Sequence, residues 1–159
     1  LHLAGEMVKE QSGLFMTHIP YRGVAPLTND LLGNNIEFGV FVLSSGLPHI
    51  RAGKVVALGT TEKKRSPVTP DIPALAEHPA LKNTDISSWF VLMGPGKLPE
   101  PVVAKLKKAL AEALQAPELR KKLEASGSSI APLNVDMARF LRDETAKYQK
   151  IVDFAKIRE

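Results

Sequence analysis

His18-Ile19-Pro20-Tyr21-Arg22-Gly23-Val24-Ala25-Pro26, continuing as Leu27-Thr28-Asn29-Asp30-Leu31-Leu32-Gly33, reads as a short strand that turns abruptly into a helix. Gly23 permits a backbone conformation closed to other residues, and Pro26 suits a first helical turn. The first amides of such a helix have no intrahelical partner. Backed by the positive end of the helix dipole, they can hold a carboxylate or phosphate without a charged side chain. Strand–glycine–helix turns also serve as plain connectors, so the turn alone leaves a structural and a binding role open.

Outward from this turn the elements alternate. Leu1, Leu3, Ala4, Met7 and Val8 form a helical stripe stopped by Ser12-Gly13, and Met16 to Tyr21 reads as a strand. The helix after Gly23 ends near Gly33. Ile36 to Val42 is a mostly apolar run of strand length, as buried parallel strands are. Ser44 to Ala52 reads as a short helix closed by Gly53, with Val55 to Thr61 as the next strand. This order predicts an α/β layer with a parallel or mixed sheet and right-handed crossovers.

From Thr61 to Asn83, Lys63-Lys64-Arg65 and prolines 67, 70, 73 and 79 interrupt every long pattern except a turn of helix through Ala74 to Glu77, for which Asp71 is the expected cap. This is a connector, ordered or mobile. Ile86 to Met93 reads as a strand. A helix is predicted from about Glu100 to Gln115, with Val102, Val103, Leu106, Leu110 and Ala113 on one face and Pro101 tolerated in its first turn. A second follows from Pro117 to about Ala125, Ser129 to Ala131 is a candidate short strand, and the longest helix runs to about residue 156 with Asn134 as its expected N-cap.

Composition narrows the function. The chain of 159 residues is 44% hydrophobic and 24% charged, which suits a globular core, and it has no apolar run near the ~18 residues of a membrane helix. The net charge of +4 does not define a nucleic-acid patch, because the bases alternate with acids, as in Arg139, Arg142, Asp143, Glu144, Lys147 and Lys150. With no cysteine, disulfides and thiolate chemistry are excluded. His2, His18, His49 and His78 lack metal-ligand spacing, so no metal or other cofactor is expected. Ser44-Ser45 near His49 lacks a Gly-x-Ser-x-Gly elbow and reads as helix capping; no nucleotide-binding loop occurs. Enzymatic activity is not expected.

Several further motifs, taken in order, carry a family resemblance. They are His2-Leu3-Ala4-Gly5-Glu6, His18-Ile19-Pro20-Tyr21-Arg22-Gly23, Leu31-Leu32-Gly33 before Ile36-Glu37-Phe38, and Leu47-Pro48-His49-Ile50-Arg51-Ala52-Gly53-Lys54. After these come Arg65-Ser66, Pro70-Asp71-Ile72-Pro73-Ala74-Leu75-Ala76-Glu77, Trp89, and Gly94-Pro95-Gly96-Lys97-Leu98-Pro99. With these the chain resembles the substrate-binding proteins of tripartite tricarboxylate transporters, the Bug family of periplasmic solute receptors.

The resemblance implies an α/β fold of the periplasmic-binding-protein type II, in which two lobes close over a ligand. Residues 1 to about 88 correspond to most of lobe two, and 89–159 to the return into lobe one. Family receptors carry a signal peptide and most of lobe one ahead of this region, so the chain, which opens on Leu1, reads as truncated. Unpaired edges at 86–93 and 129–131 then imply dimerisation, domain swapping or a lost partner segment.

The implied function is capture of a small carboxylate (a di- or tricarboxylate, an aromatic acid or an acidic amino acid) for membrane transporter subunits, with no enzymatic step. The alternatives are a self-associating interaction module and a ligand sensor for a signalling partner. Carried over onto this chain, the ligand contributors are His2 and Leu3 at the first helix start, Tyr21, Gly23, Val24 and Ala25 at the second, and Phe41 and Val42 at a strand end. The family commonly has a second glycine where Val24 stands and polar residues where Phe41 and Val42 stand. The apolar pair implies a ligand that is apolar or aromatic at that end, or simply a core position.

Overall fold

The computed structural model describes residues 1–157. Six α-helices occur among them: α1 (His2–Ser12), α2 (Val24–Leu32), α3 (Leu43–Arg51), α4 (Glu100–Gln115), α5 (Pro117–Ala125) and α6 (Met137–Ala155). Each stops where local chemistry dictates. Gly13, at φ 68°, takes the left-handed conformation that ends α1 and returns its N–H to Lys9 O. The α6 start is fixed by Asp136, whose carboxylate accepts from Arg139 N at 3.0 Å. This corrects the expectation of Asn134 as the cap: Asn134 lies two residues too early to reach that amide. The predicted Ser44-Ser45 cap is also corrected, because α3 begins one residue earlier, at Leu43, and both serines fall inside its first turn behind an N-cap of Val42.

The α1 and α6 helices lie side by side, burying Ala4, Met7 and Ile151 together with Ile86, while Leu3, Val40 and Tyr148 close the cluster. A second contact joins α3 to the end of α5. A Cβ at Gly127 would stand 3.1 Å from Leu43 Cγ and 3.2 Å from Leu47 Cδ2, and the Arg51 guanidinium donates to Ala125 O at 3.2 Å. The face of α4 stays open, with Val102, Leu106 and Leu110 each more than 40% exposed.

The connector is ordered. Thr60 N donates to Pro73 O and Leu75 N to Thr60 O, each at 2.8 Å, forming a parallel bridge between Thr60 and Ala74. Ile86 N reaches Thr61 O at 2.8 Å, and fully buried Thr84 donates its hydroxyl to Gln11 of α1 at 3.1 Å. Arg65 grips Glu77 through two bonds of 2.7 and 2.8 Å, and Glu77 Oε1 also accepts from Ala74 N at 2.9 Å. Glu77 thus supplies the cap of the short 3-10 turn Leu75–Glu77, whose N-cap residue is Ala74; the predicted cap Asp71 stands too far ahead.

The predicted strands require correction. The segments 16–21, 36–42, 55–61, 86–93 and 129–131 are not strands among the described residues, where the Thr60–Ala74 bridge is the sole strand-type pairing. A strand exists only through its neighbour, and no backbone–backbone bond reaches 16–22, 37–41, 55–59, 87–94 or 129–135. Along these runs Phe90, Leu92 and Met93 are 67–88% exposed.

Candidate functional site

Every ligand-contact candidate read from the sequence falls within three residues of the first residue of α1, α2 or α3. The N-cap positions of these helices, Leu1, Gly23 and Val42, donate no side-chain cap. In α1, Ala4 N and Gly5 N both turn back to Leu1 O, which leaves His2 N–H and Leu3 N–H unpartnered among the described residues. In α2, Pro26 has no N–H to offer, so Val24 and Ala25 carry the free amides. In α3, Ser45 N and Gly46 N bond to Val42 O, leaving Leu43 N–H and Ser44 N–H. Each pair sits at the positive end of a helix dipole.

Gly23 sets the geometry of the middle pair. Its φ of 104° and ψ of 178° lie in a region essentially reserved for glycine, and nothing stands within 4 Å of where a Cβ would project. The space over the turn is therefore open.

Residues 39–41 connect the three helix starts. A Cβ at Gly39 would lie 2.7 Å from Phe41 Cε2 and 3.4 Å from Leu27 Cδ1 of α2, so only glycine lets the Phe41 ring fold back there. Val40 touches α1 at Gly5, and Phe41 lies against α3 at Gly46. Phe41 is thus half-buried packing between helices; Val42 is the α3 N-cap rather than the end of a paired strand.

Histidine chemistry adds a second link. The His2 and His18 rings stack with centroids 3.9 Å apart and planes 15° from parallel, joining the start of α1 to the segment before Gly23. His2 Nε2 also stands 3.7 Å from buried Glu6, which accepts from Lys9 at 2.8 Å. Burial, then the charge of His18, holds the His2 imidazole below its ordinary value.

Tyr21 does not present a free hydroxyl. Its phenol donates to Asp30 Oδ2 at 2.8 Å, while Asn35 Nδ2 donates to Asp30 Oδ1 at 3.1 Å. A shallow hollow elsewhere, lined by Glu10, Gly13, Phe15 and Phe154, lies at the opposite end of α1 from His2 and Leu3 and is no part of this arrangement. Among the described residues no group of three His, Cys, Asp or Glu side chains is placed to hold a metal ion.

Sequence reading missed the Leu43 and Ser44 amides. The signal that would find them is the Val42-Leu43 junction: two apolar residues ahead of a serine pair, with no cap residue to close the helix.

The chain is 33% identical over 129 residues to a protein of Pseudomonas knackmussii encoded in the clcB-clcD intergenic region, covering 81% of this chain and 76% of that one. Among solved structures, Rpa4515 of R. palustris with adipate matches at a TM-score of 0.84 and 28% identity, over 98% of this chain and 52% of that one. MatC of Rhodopseudomonas palustris with bound malate matches at 0.81 and 26% identity, over 95% and 52%. The periplasmic binding protein BugD matches at 0.79 and 28% identity, over 98% and 53%.

These likenesses establish the α/β periplasmic-binding-protein fold predicted from the sequence, although the chain spans only about half the length of those solved structures. No helix among the described residues is long and apolar enough to cross a membrane. A family model described as the tripartite tricarboxylate transporter family receptor matches residues 1–157. With that match over nearly its whole length, the chain belongs to the tripartite tricarboxylate transporter receptors, a family of solute-binding proteins and not of enzymes.

Proposed function

We propose that this chain contributes the amide-lined side of a periplasmic receptor cleft that captures a small carboxylate and passes it to tripartite-type transporter subunits in the membrane. The observation that carries the reading is the set of free amide pairs at His2-Leu3, Val24-Ala25 and Leu43-Ser44, linked through residues 39–41. Free amides at dipole ends bind anionic oxygen without a buried counter-ion. Gly23 lets the backbone at the middle pair come close to a ligand, and the Phe41 ring supplies an apolar wall. Residues 1 to about 88 form most of one lobe, and 89–159 return into the other. The adipate and malate held by structural neighbours support a dicarboxylate as the ligand class.

A thermal-shift screen of dicarboxylates, tricarboxylates, aromatic acids and acidic amino acids tests this, run on the chain and on any longer product of its gene. Stabilisation by one acid class, growing with concentration, is the expected result. No shift from any acid in a well-folded protein overturns it.

A second reading has its own observation. Phe15, Val56 and Phe90 are each at least 85% exposed, and extended runs beside them lack ladder partners, which favours self-association through an open edge. Sedimentation at several concentrations separates this interaction role from a monomeric receptor.

A further inference from the structure

Asp30 occupies a place where helix electrostatics disfavour it. It lies in the last turn of α2, at the negative end of the dipole, and no Lys or Arg pairs with it among the described residues. What holds the carboxylate is a pair of neutral donors, one from each end of the helix. Tyr21, ahead of the Gly23 turn, bonds Oδ2 at 2.8 Å; Asn35, beyond the helix, bonds Oδ1 at 3.1 Å and returns its backbone N–H to Asp30 O at 2.8 Å. Both bonds hold the Asp30 carboxyl below its ordinary range.

Two other side-chain contacts touch the turn, the Thr28 hydroxyl donating to Val24 O at 2.9 Å and the His2–His18 stack, and neither reaches from Tyr21 to the end of α2. Gly23 has no side chain, α2 has no side-chain cap, and the 16–22 backbone joins no ladder. With its one hydroxyl hydrogen directed at Asp30, Tyr21 has no donor left for a bound carboxylate.

We infer that Tyr21 is a positioning residue: through Asp30 it straps the approach of α2 to its end, fixing the Gly23 turn so that the Val24 and Ala25 amides face one anion. The inference deepens, and rests on, the carboxylate-receptor reading above.

The test compares Tyr21→Phe, Asp30→Ala, the double variant and Asp30→Asn, which keeps an acceptor for the phenol. Two readouts are taken: amide hydrogen exchange at Leu27, Thr28 and Asn29, and calorimetric affinity for adipate and malate. The strap predicts that Tyr21→Phe and Asp30→Ala each lower protection and affinity roughly tenfold, that the double variant loses no more than either, and that Asp30→Asn restores most of both. Losses that multiply in the double variant, or weaker binding by Tyr21→Phe with exchange unchanged, would show direct ligand contact and overturn the inference. If the unaltered protein binds neither these two nor any acid of the wider screen, the receptor reading fails instead. Exchange then decides the strap alone: equal loss in Tyr21→Phe, Asp30→Ala and the double variant supports it, and unchanged protection overturns it.

Discussion

The Trp89 indole N–H donates to Glu144 Oε2 across 2.9 Å, while the Trp89 ring meets Phe140 edge to face at 5.3 Å between centroids. The segment that leaves the connector is thereby fastened to α6. Lys147 pairs with the same carboxylate, and Tyr148 donates its hydroxyl to Ser87 O at 3.2 Å, so one turn of α6 holds residues 87–89 at two points.

Glu144→Ala removes the acceptor from a partly buried indole and is expected to cost about 1–3 kcal/mol. Trp89 is the single tryptophan, so its emission reports the loss directly by shifting to the red in the folded variant. Burial works against the Glu144 charge, but its donors outweigh it and hold the carboxyl below the ordinary range. A depressed carboxyl contributes stability above its unfolded value and loses it as pH falls through the folded one. Acid titration of the emission should therefore show a transition below about pH 4.5, absent in Glu144→Gln.

Arg65 and Glu77 govern the connector. The guanidinium bonds, followed by the Ala74 amide, pull the Glu77 carboxyl down to about 2. The strap is complete above the usual carboxylate range and is released as pH falls through about 2. Arg65→Ala at neutral pH is expected to open residues 61–86 to limited proteolysis with little change in melting temperature, because both side chains are nearly half exposed. Unchanged cleavage would show that backbone bonds alone order the segment.

The His2–His18 stack predicts a pH response beside the site. Burial and the neighbouring imidazole favour neutral His2, so this contribution is present above about pH 6.5 and fades as pH falls through the lower folded value. His18→Ala should move the His2 titration upward, read from imidazole proton shifts. No movement would mean that the rings do not face each other in solution.

Gly23→Ala isolates backbone strain, because no atom lies near the added methyl. Forcing alanine to φ 104° is expected to cost about 1–3 kcal/mol in thermal or chaotrope unfolding, or to rotate the turn and weaken acid binding. Full stability together with unchanged binding would remove Gly23 from the site.

Helices were legible where their determinants are local. The α4 and α5 bounds match because Pro101 and Pro117 mark the first turns and the apolar spacing continues between them. The strands were not, since the apolar run 36–42 says nothing about which backbone will pair with it. Caps failed by register: asparagine and aspartate both suit the role, and only geometry selects Asp136 over Asn134. A one-residue slip at the start of α3 hid the Leu43 amide. Val24 and Ala25 were readable as site candidates because a helix start leaves free amides wherever it falls, and His2 and Leu3 entered through the family resemblance; the link through residues 39–41 depends on tertiary packing that no spacing records.

The most direct test of carboxylate capture by these helix starts is calorimetric titration of adipate and malate against their dimethyl esters at low salt. Binding of at least one free acid with loss of more than about tenfold on esterification is the predicted result, because charge at a dipole end is what the amides recognise. Equal affinity for acid and ester contradicts the account, as does a folded protein that binds no acid of the wider screen.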